Sequence, residues 1–433
     1  MTLRVAMFPR GGDGLYLPLV TGVEVLALVA RGAPEEAWVR GFIAPERVLT
    51  YTFTGDRRDP YPATDSLLRD SDIHRCLERA GVRGLLMSAS TSAATQAWSR
   101  RHRITLIASD YAQQRRLEDK IWLHRFLGRH GLPRPSGGVF TYGSRGPRLR
   151  GPQVLQVPDS MGGEGTYFIA GPAELARLGL QPGRRYLLRE RIVGRPFGIT
   201  VFVAPQAVAL SAVRLQCYHP EPRGAARCFA GVQWFPSAWL SPRLRRRIDA
   251  VFAELGELLY RRRFLGFANF DFMVDEDDEI HVLECNPRMS AATPQLLARP
   301  ELLGGVPAGA LFLAGFTGPR RYARGVPRCS RVPDTGYRGA TLDVVPAAAG
   351  AVTRGFQSGR YVRGAEGVRY HGADPRGGGG AGALTLLSFA RPGQVCGLDS
   401  TLATVLADEQ LYDRCGGLLA RARQLLAHFG YTA

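Results

Sequence analysis

Residues 266–290, GFANFDFMVDEDDEIHVLECNPRMS, constrain the chain more than any other segment. Two runs, FANFDFMV and EIHVLECN, alternate apolar and polar side chains around the acidic turn DEDDE, the pattern of a β-hairpin with one buried face. With the turn centred between Asp277 and Asp278, cross-strand partners have numbers of constant sum, so Asp271 falls opposite Glu284 and Asn269 opposite Asn286. These four share one face. Phe270, Phe272, Val274, Leu283 and Cys285 occupy the other and are assigned to the core. Carboxylates directly across a ladder, with Cβ atoms about 4.5–5.5 Å apart, repel each other unless a cation lies between them. Oxygen ligands from Asp271, Glu284 and Asn286 suit Mg2+, a hard ion that commonly shares its shell with phosphates. The alternative is a hairpin whose polar face is merely wet. Pro287 and Arg288 argue against that, since an arginine just beyond a metal site can hold a phosphoryl group or a carboxylate.

Around this hairpin the 433 residues divide into three parts. From 1 to 110 the apolar runs LRVAMF, RGLLMSAS and ITLIAS alternate with the helical patterns LLRDSDIHRCLERAG and TSAATQAWSRRH, which predicts a Rossmann-like α/β layer domain with parallel strands. It has no GxGxxG, and the turn Gly11 to Gly14 is a weak phosphate-loop candidate. A second part, 111–320, opens with one helix, AQQRRLEDKIWLHRFLGRHGLPRP, in which Leu117 with Ile121 and Leu123 with Leu127 repeat at i, i+4 before Gly131 caps it and Pro133 stops it. Two β-rich lobes follow, the first at about 135–205, separated from the hairpin by a helix that Ser241 caps and Pro242 starts; Ile248, Val251, Phe252, Leu255 and Leu259 form its core face. From 321 to 433 the chain is glycine-rich, with GGGG at 377–380 as a loop tip and a closing helix around LYDRCGGLLARARQLLAHFG, a small C-terminal α/β lobe.

ECNPRMS resembles the E-x-N-P-R signature near the end of ATP-grasp domains and is similar to the versions in carbamoyl-phosphate synthetase and biotin carboxylase. The resemblance extends backward: EDK with Lys120 matches the first ATP-grasp lysine, VLQVPDSMGGEGTYFI (154–169) the strand, glycine-rich loop and strand, and LLRERIVGRPFGITVFV (187–203) the hinge where adenine sits. It implies an α+β, two-lobed ATP-grasp domain behind a pre-ATP-grasp domain. It also implies ATP and Mg2+ as cofactors, and an ATP-dependent carboxylate–amine ligase that forms an amide or peptide bond through an acyl phosphate. Lys120, Gln156, Gly162, Gly163, Gly165, Glu190 and Ile192 would contact the nucleotide, and Lys120 and Arg288 would act in catalysis. Asp271, Glu284 and Asn286 would hold the metal. Lys120 is the only lysine in the chain, which suggests that a compact point charge is wanted there. Three positions depart from the pattern. The second lysine, usual before the loop, is Gln156; Pro196 stands where relatives often carry a ribose-binding acid; and Asn269 stands where some ligases have an arginine. A bicarbonate-using enzyme of the biotin-carboxylase kind and a non-catalytic nucleotide-binding protein remain the alternatives.

The formal net charge of +18 invites a nucleic-acid reading. Its arginines are scattered, and the only runs, RLRRR at 243–247 and RRR at 261–263, fall on the predicted Ser241 helix and read as a solvated face, so nucleic acid is not expected. The partners expected are a small carboxylate and an amine; an acidic carrier protein and a homodimer stay open. Seven cysteines without a CxxC pair read as free thiols, there is no basic start followed by an apolar run, and the longest uncharged stretch, GGVPAGALFLAGFTG, is shorter than the roughly 20 residues a bilayer needs. The expected location is cytoplasmic.

Overall fold

The computed structural model describes residues 4–7, 24–41, 43–51, 68, 71–88, 91–143, 149, 151–160, 165–219, 229–317, 327–346, 349–364, 367–374, 382–390, 392–397 and 400–429. Near the N-terminus β1 (Arg4–Met7), β2 (Glu24–Ala30), β3 (Val48–Tyr51), β4 (Gly84–Leu86) and β5 (Thr105–Ile107) form a parallel sheet in the order β3-β2-β1-β4-β5. The runs read from the sequence supply β1, β4 and β5. The Ser71–Arg79 and Ala93–His102 helices lie between them in the chain, the second capped by Ser92, whose Oγ accepts from Thr95 N at 2.9 Å. The Gly11 to Gly14 turn lies outside the described residues.

The helix expected from 112 onward is two helices, Tyr111–Glu118 and Lys120–Arg129. Asp119 separates them: its backbone is extended (ψ 108°), and its carboxylate accepts from Trp122 N at 2.9 Å, capping the second helix. The apolar i, i+4 spacing runs on through the break and hides it. The break leaves Lys120 N free of the first helix, and it donates to Pro158 O at 3.0 Å instead.

Four antiparallel strands, β6 (Gly137–Thr141), β7 (Gln153–Gln156), β8 (Thr166–Ile169) and β9 (Arg185–Glu190), make a small sheet in the order β6-β9-β7-β8 over Phe140, Leu155, Ile169, Tyr186 and Leu188. The largest sheet begins with β10 (Arg195–Ala204), β11 (Ala207–Leu210), β12 (Arg214–Tyr218), β13 (Phe229–Trp234), β14 (Gly266–Val274) and β15 (Ile280–Asn286). The helix Pro242–Arg261 starts at Pro242 behind the Ser241 cap and buries Ile248, Phe252, Leu255 and Leu259, with Val251 partly buried. Phe252 packs 5.9 Å from Phe270 and 5.0 Å from Phe272, centroid to centroid, which locks this helix to the apolar face of the hairpin. Part of the arginine run meets an acidic partner within the chain. Arg247 pairs with Glu279 and donates to Asp278 O at 3.0 Å, while Arg245 reaches Asp334 at 3.4 Å. The apolar stretch near 304–318 supplies the helix Ala308–Thr317, which buries Phe312, Leu313 and Phe316; among the described residues no helix is long and apolar enough to cross a membrane.

The C-terminal strands continue this sheet: β16 (Ala340–Val344), β18 (Gly359–Gly364), β19 (Gly367–Gly372), β20 (Ala383–Ser388) and β22 (Ala403–Ala407) complete the order β15-β14-β10-β12-β13-β16-β22-β20-β18-β19, with β11 against β10. Two-residue strands β17 (Gly350–Ala351) and β21 (Val395–Cys396) pair apart from it. The β13–β16 seam has one ladder pair, Gln233 with Ala340, supplemented by Trp234 N donating to Gly339 O at 2.8 Å and by side chains. Buried Gln233 accepts from Leu411 N at 2.8 Å and Tyr412 N at 3.1 Å, and its amide nitrogen reaches Arg338 O at 2.8 Å and Gly339 O at 3.0 Å. Gln295, also buried, accepts from Trp234 Nε1 at 2.7 Å and donates to Ala340 O at 3.2 Å. These glutamines hydrogen-bond backbone groups around the seam.

One buried acid in these strands gives a pH signature. Burial pushes Asp343 up to about 6, although the Thr404 hydroxyl, donating at 2.7 Å, opposes the shift. A carboxyl raised on folding stabilises the protein at low pH, and that contribution is lost as pH rises through the folded value. Asp343→Asn keeps an acceptor for Thr404 and is expected to raise stability at pH 8 by at most roughly 3 kcal/mol, a gain that vanishes below pH ~4. Melting temperatures of both proteins across that range test it, and equal curves at pH 8 rule it out.

Candidate active site

The hairpin pairs Asn269 with Asn286, Phe270 with Cys285 and Asp271 with Glu284. Toward the turn the ladder slips, so that Phe272 faces Val282 and Val274 faces Ile280. Leu283 is the residue skipped. A bulge of this kind turns one side chain out of the ladder's alternation, and the assignment of Leu283 to the core is corrected accordingly: Leu283 is partly exposed, and Val282 is fully buried in its stead. Beyond the slip the outer side of β15 is closed by Pro133, whose carbonyl accepts from Val282 N at 3.2 Å.

Gly198 of β10 lies opposite Asp271 on one side and Arg214 of β12 on the other. Having no side chain, it leaves a gap through which its neighbours reach. Gln216 Nε2 donates to Asp271 Oδ1, and a Cβ at position 198 would stand 2.6 Å from Gln216 Nε2 and 3.1 Å from Arg214 Nε. Asn286 Nδ2 reaches Asp271 Oδ2 at 3.4 Å. Burial and the charge of Glu284 push the Asp271 carboxyl well above the usual range, against the pull of Arg214 and Gln216. Burial also brings Arg214 down to about 10, which leaves it a cation at neutral pH, while Asp271 holds it up.

Asn269 is fully occupied. Its Oδ1 accepts from Thr200 Oγ1 at 2.6 Å and Arg214 Nη2 at 3.3 Å; its Nδ2 donates to Arg288 O at 2.6 Å and Asn286 O at 3.3 Å. It therefore fixes the turn after β15 and aims Arg288, whose Nη1 meets Glu118 Oε1 at 2.5 Å. The position that some relatives fill with an arginine is thus hydrogen-bonded by one from the second strand over.

Lys120 is buried, and its Nζ lies 3.7 Å from Glu284 Oε2. The same Nζ donates to Ser160 O and lies 3.5 Å from Ser160 Oγ, at the root of the glycine loop. Gly165 closes that loop with φ +62°, and a Cβ there would stand 2.7 Å from Val157, so position 165 needs glycine twice over. Gly162 and Gly163 lie outside the described residues. Gln156 Nε2 donates to Thr166 Oγ1 at 3.3 Å, and its Oε1 accepts from Arg189 Nη2. Arg189 is buried and also donates to Leu283 O at 3.1 Å; burial lowers it to about 10, with Glu284 opposing, so it too stays charged. On the Lys120 helix His124 is brought down to about 4 by burial and the nearby Arg134 and Arg189, and is neutral at pH 7. In the hinge Glu190 is engaged by Ser136, whose N donates to Glu190 Oε1 at 2.8 Å; Ile192 is partly exposed, and Pro196 pairs with Met273 in the sheet.

The structure therefore brings Asp271, Glu284, Asn286 and Lys120 together, and Arg189 ties Gln156 of the small sheet to the hairpin at Leu283. Arg288 lies just beyond the hairpin, and Glu190 and Ile192 lie along the hinge. Sequence reasoning passed over Arg189, Arg214, Gln216 and Glu118. Arg189, Arg214 and Gln216 signalled themselves only by charge or polarity on strands, in a chain where arginine is everywhere, and Glu118 only as an acid closing a helix. The set fits a magnesium–phosphate group: the hard oxygen donors Asp271, Glu284 and Asn286 share one face, with the Lys120 ammonium 3.7 Å from Glu284.

No protein family and no curated protein matches the sequence. Solved structures do. The biotin carboxylase domain of Hydrogenobacter thermophilus 2-oxoglutarate carboxylase, solved with MgADP, ADP and bicarbonate, is 14% identical with a TM-score of 0.65, covering 94% of this chain and 86% of that one. Biotin carboxylase from Campylobacter jejuni, solved as a beta-gamma-ATP complex, is 13% identical with a TM-score of 0.64, covering 94% and 88%. L-amino acid ligase from Bacillus licheniformis is 12% identical with a TM-score of 0.58, covering 99% and 96%. With its sheets in this order and these neighbours along nearly its whole length, the chain has an ATP-grasp fold.

Proposed function

We propose that this protein is an ATP-dependent ligase that activates a carboxylate as an acyl phosphate and joins it to an amine, releasing ADP and phosphate. The observation that carries the reading is the single face holding Asp271, Glu284 and Asn286, with Lys120 3.7 Å from Glu284 and bonded to the root of the glycine loop. Mg2+ held by the three hairpin side chains would neutralise triphosphate charge. Lys120 would bind phosphate beside the metal ligands, and Arg288 would hold the transferring group or the substrate carboxylate. A mixed anhydride formed here would need shelter from water. Glu190 and Ile192 border the base. The ligase from Bacillus licheniformis, matched over 99% of this chain, supports amino acids as the carboxylate and amine.

A second reading, bicarbonate as the carboxylate, draws on the higher TM-score of the carboxylase neighbours. Phosphate release with purified protein, MgATP and paired amino acids or small carboxylic acids separates the readings. Release that requires an amine supports the ligase, release with bicarbonate alone supports the second reading, and ATP uptake without turnover under any mixture sinks both. The gap at Gly198 adds a milder test. Gly198→Ala pushes Gln216 off Asp271 and removes a hydrogen bond that favours its ionised form, so Mg2+-dependent nucleotide affinity is expected to fall roughly tenfold, as for other outer-shell partners, with little change in melting temperature. Calorimetry with unaltered affinity would count against the role of Gln216.

A further inference from the structure

Gln156 removes a cation from the strand that leads into the glycine loop. The structure returns one to the same place from another strand. Arg189 of β9 pairs with Val154 of β7, so its side chain shares a face with Gln156 one diagonal step away, within reach of a long side chain. There the guanidinium makes its two hydrogen bonds among the described residues, one to Gln156 Oε1 and one to Leu283 O, and both acceptors are uncharged. The second bond crosses from the four-stranded sheet to the hairpin, and its acceptor is the carbonyl of the residue that the β14–β15 ladder skips. A buried guanidinium whose hydrogen bonds go to neutral acceptors, with the Glu284 charge acting on it but no direct ion pair among the described residues, has capacity for a direct anionic partner. Lys120 does not share its task, being turned to Glu284 and Ser160.

We infer that Arg189 is the second phosphate-binding cation of this site, taking the place of the lysine missing at position 156, and that its ligand is the terminal diphosphate of a nucleoside triphosphate. This rests on the nucleotide binding proposed above and adds a feature of this chain to it. Gln156 becomes a positioning residue: its carbonyl oxygen holds the fork, and its neutrality is required, because a lysine there would stand against Arg189. A planar fork can also grip two oxygens of adjacent phosphates at once, where an ammonium presents a point charge. The two positions should therefore depend on each other. Gln156→Lys alone sets like charges in contact and harms binding; the same change helps when Arg189 is gone.

The test is calorimetric titration of the full chain with MgATP and, separately, AMP, for wild type, Arg189→Met, Gln156→Lys and the double variant. Arg189→Met is expected to lose about ten- to hundredfold in ATP affinity while AMP affinity holds, since AMP lacks the terminal phosphates. The double variant is expected to recover to within a few-fold of wild type, and Gln156→Lys alone to bind ATP more weakly than wild type. Wild-type ATP affinity in Arg189→Met, or a double variant no better than Arg189→Met, overturns the assignment while nucleotide binding itself stands. A wild-type protein that takes up neither nucleotide sinks the proposed function and this inference with it. Should Arg189→Met not fold, the double variant still decides: ATP binding supports the substitution of one cation for another, and its loss in a folded double variant overturns it.

Discussion

Glu284→Gln is expected to abolish ADP release while leaving the protein folded. The amide has the shape of the carboxylate, and the side chain is about one-third exposed, so neither a cavity nor an unpaired buried group results. What disappears is a negative charge 3.7 Å from Lys120 and directly across the ladder from Asp271. A metal site reduced from two carboxylates to one loses more than the tenfold to hundredfold typical of an outer-shell change, so turnover should fall by well over about a hundredfold. The same substitution frees Asp271 from the charge that holds its carboxyl up, and Asp271 should then ionise at lower pH. A coupled ADP assay with melting temperature as the folding control measures the effect. An active, folded variant would refute the metal assignment.

The largest loss of stability is expected at Gly231. This residue of β13 has φ +138°, and a Cβ there would stand 2.1 Å from Thr341 O and 2.8 Å from the Tyr412 hydroxyl. Neither neighbour can retreat. The first is backbone of β16, and the second is a buried ring whose hydroxyl donates to Ala230 O at 2.6 Å. Gly231→Ala must therefore push apart the two halves of the sheet where the seam has a single ladder pair, at an expected cost of roughly 3–5 kcal/mol. Gly305→Ala is the control: its φ is +81°, but nothing lies within 4 Å of the added carbon, so only backbone strain of about 1 kcal/mol is expected. Urea unfolding of both variants separates the contributions. Equal midpoints would mean that the seam yields and that the close approach carries no weight.

The pairing within the candidate site was legible because a strand hairpin has a rigid period. Once the turn is fixed, counting outward sets Asp271 against Glu284 regardless of what surrounds them. The count fails where the backbone departs from that period. The slip that releases Leu283 depends on how β15 meets the small sheet and the Pro133 carbonyl, and nothing in the local alternation marks it. A helix break was missed for a related reason. Apolar spacing reports which side of a helix is buried, and both helices bury the same side, so Leu117 and Ile121 keep step across Asp119. Its capping bond to Trp122 was the available sign, an aspartate three residues before the amide it accepts from. Arg189 and Arg214 were unreadable in principle: in a chain whose basic residues are almost all arginine, only three-dimensional placement separates a buried cation from a solvated one.

The long sheet ends on strands that differ in how they meet solvent. At β15 the bare rim is taken up by the Pro133 carbonyl bonded to Val282 N and by Arg189 bonded to Leu283 O. At β19 the strand is short, begins and ends on glycine, and exposes Arg369 and His371. Unsatisfied rims of this kind are where one polypeptide can zip onto another. Here one is already satisfied from within and the other is brief and basic, so an incoming strand finds little to extend. A sheet that spans most of the molecule can thus serve as a rigid platform without inviting a second copy to lengthen it.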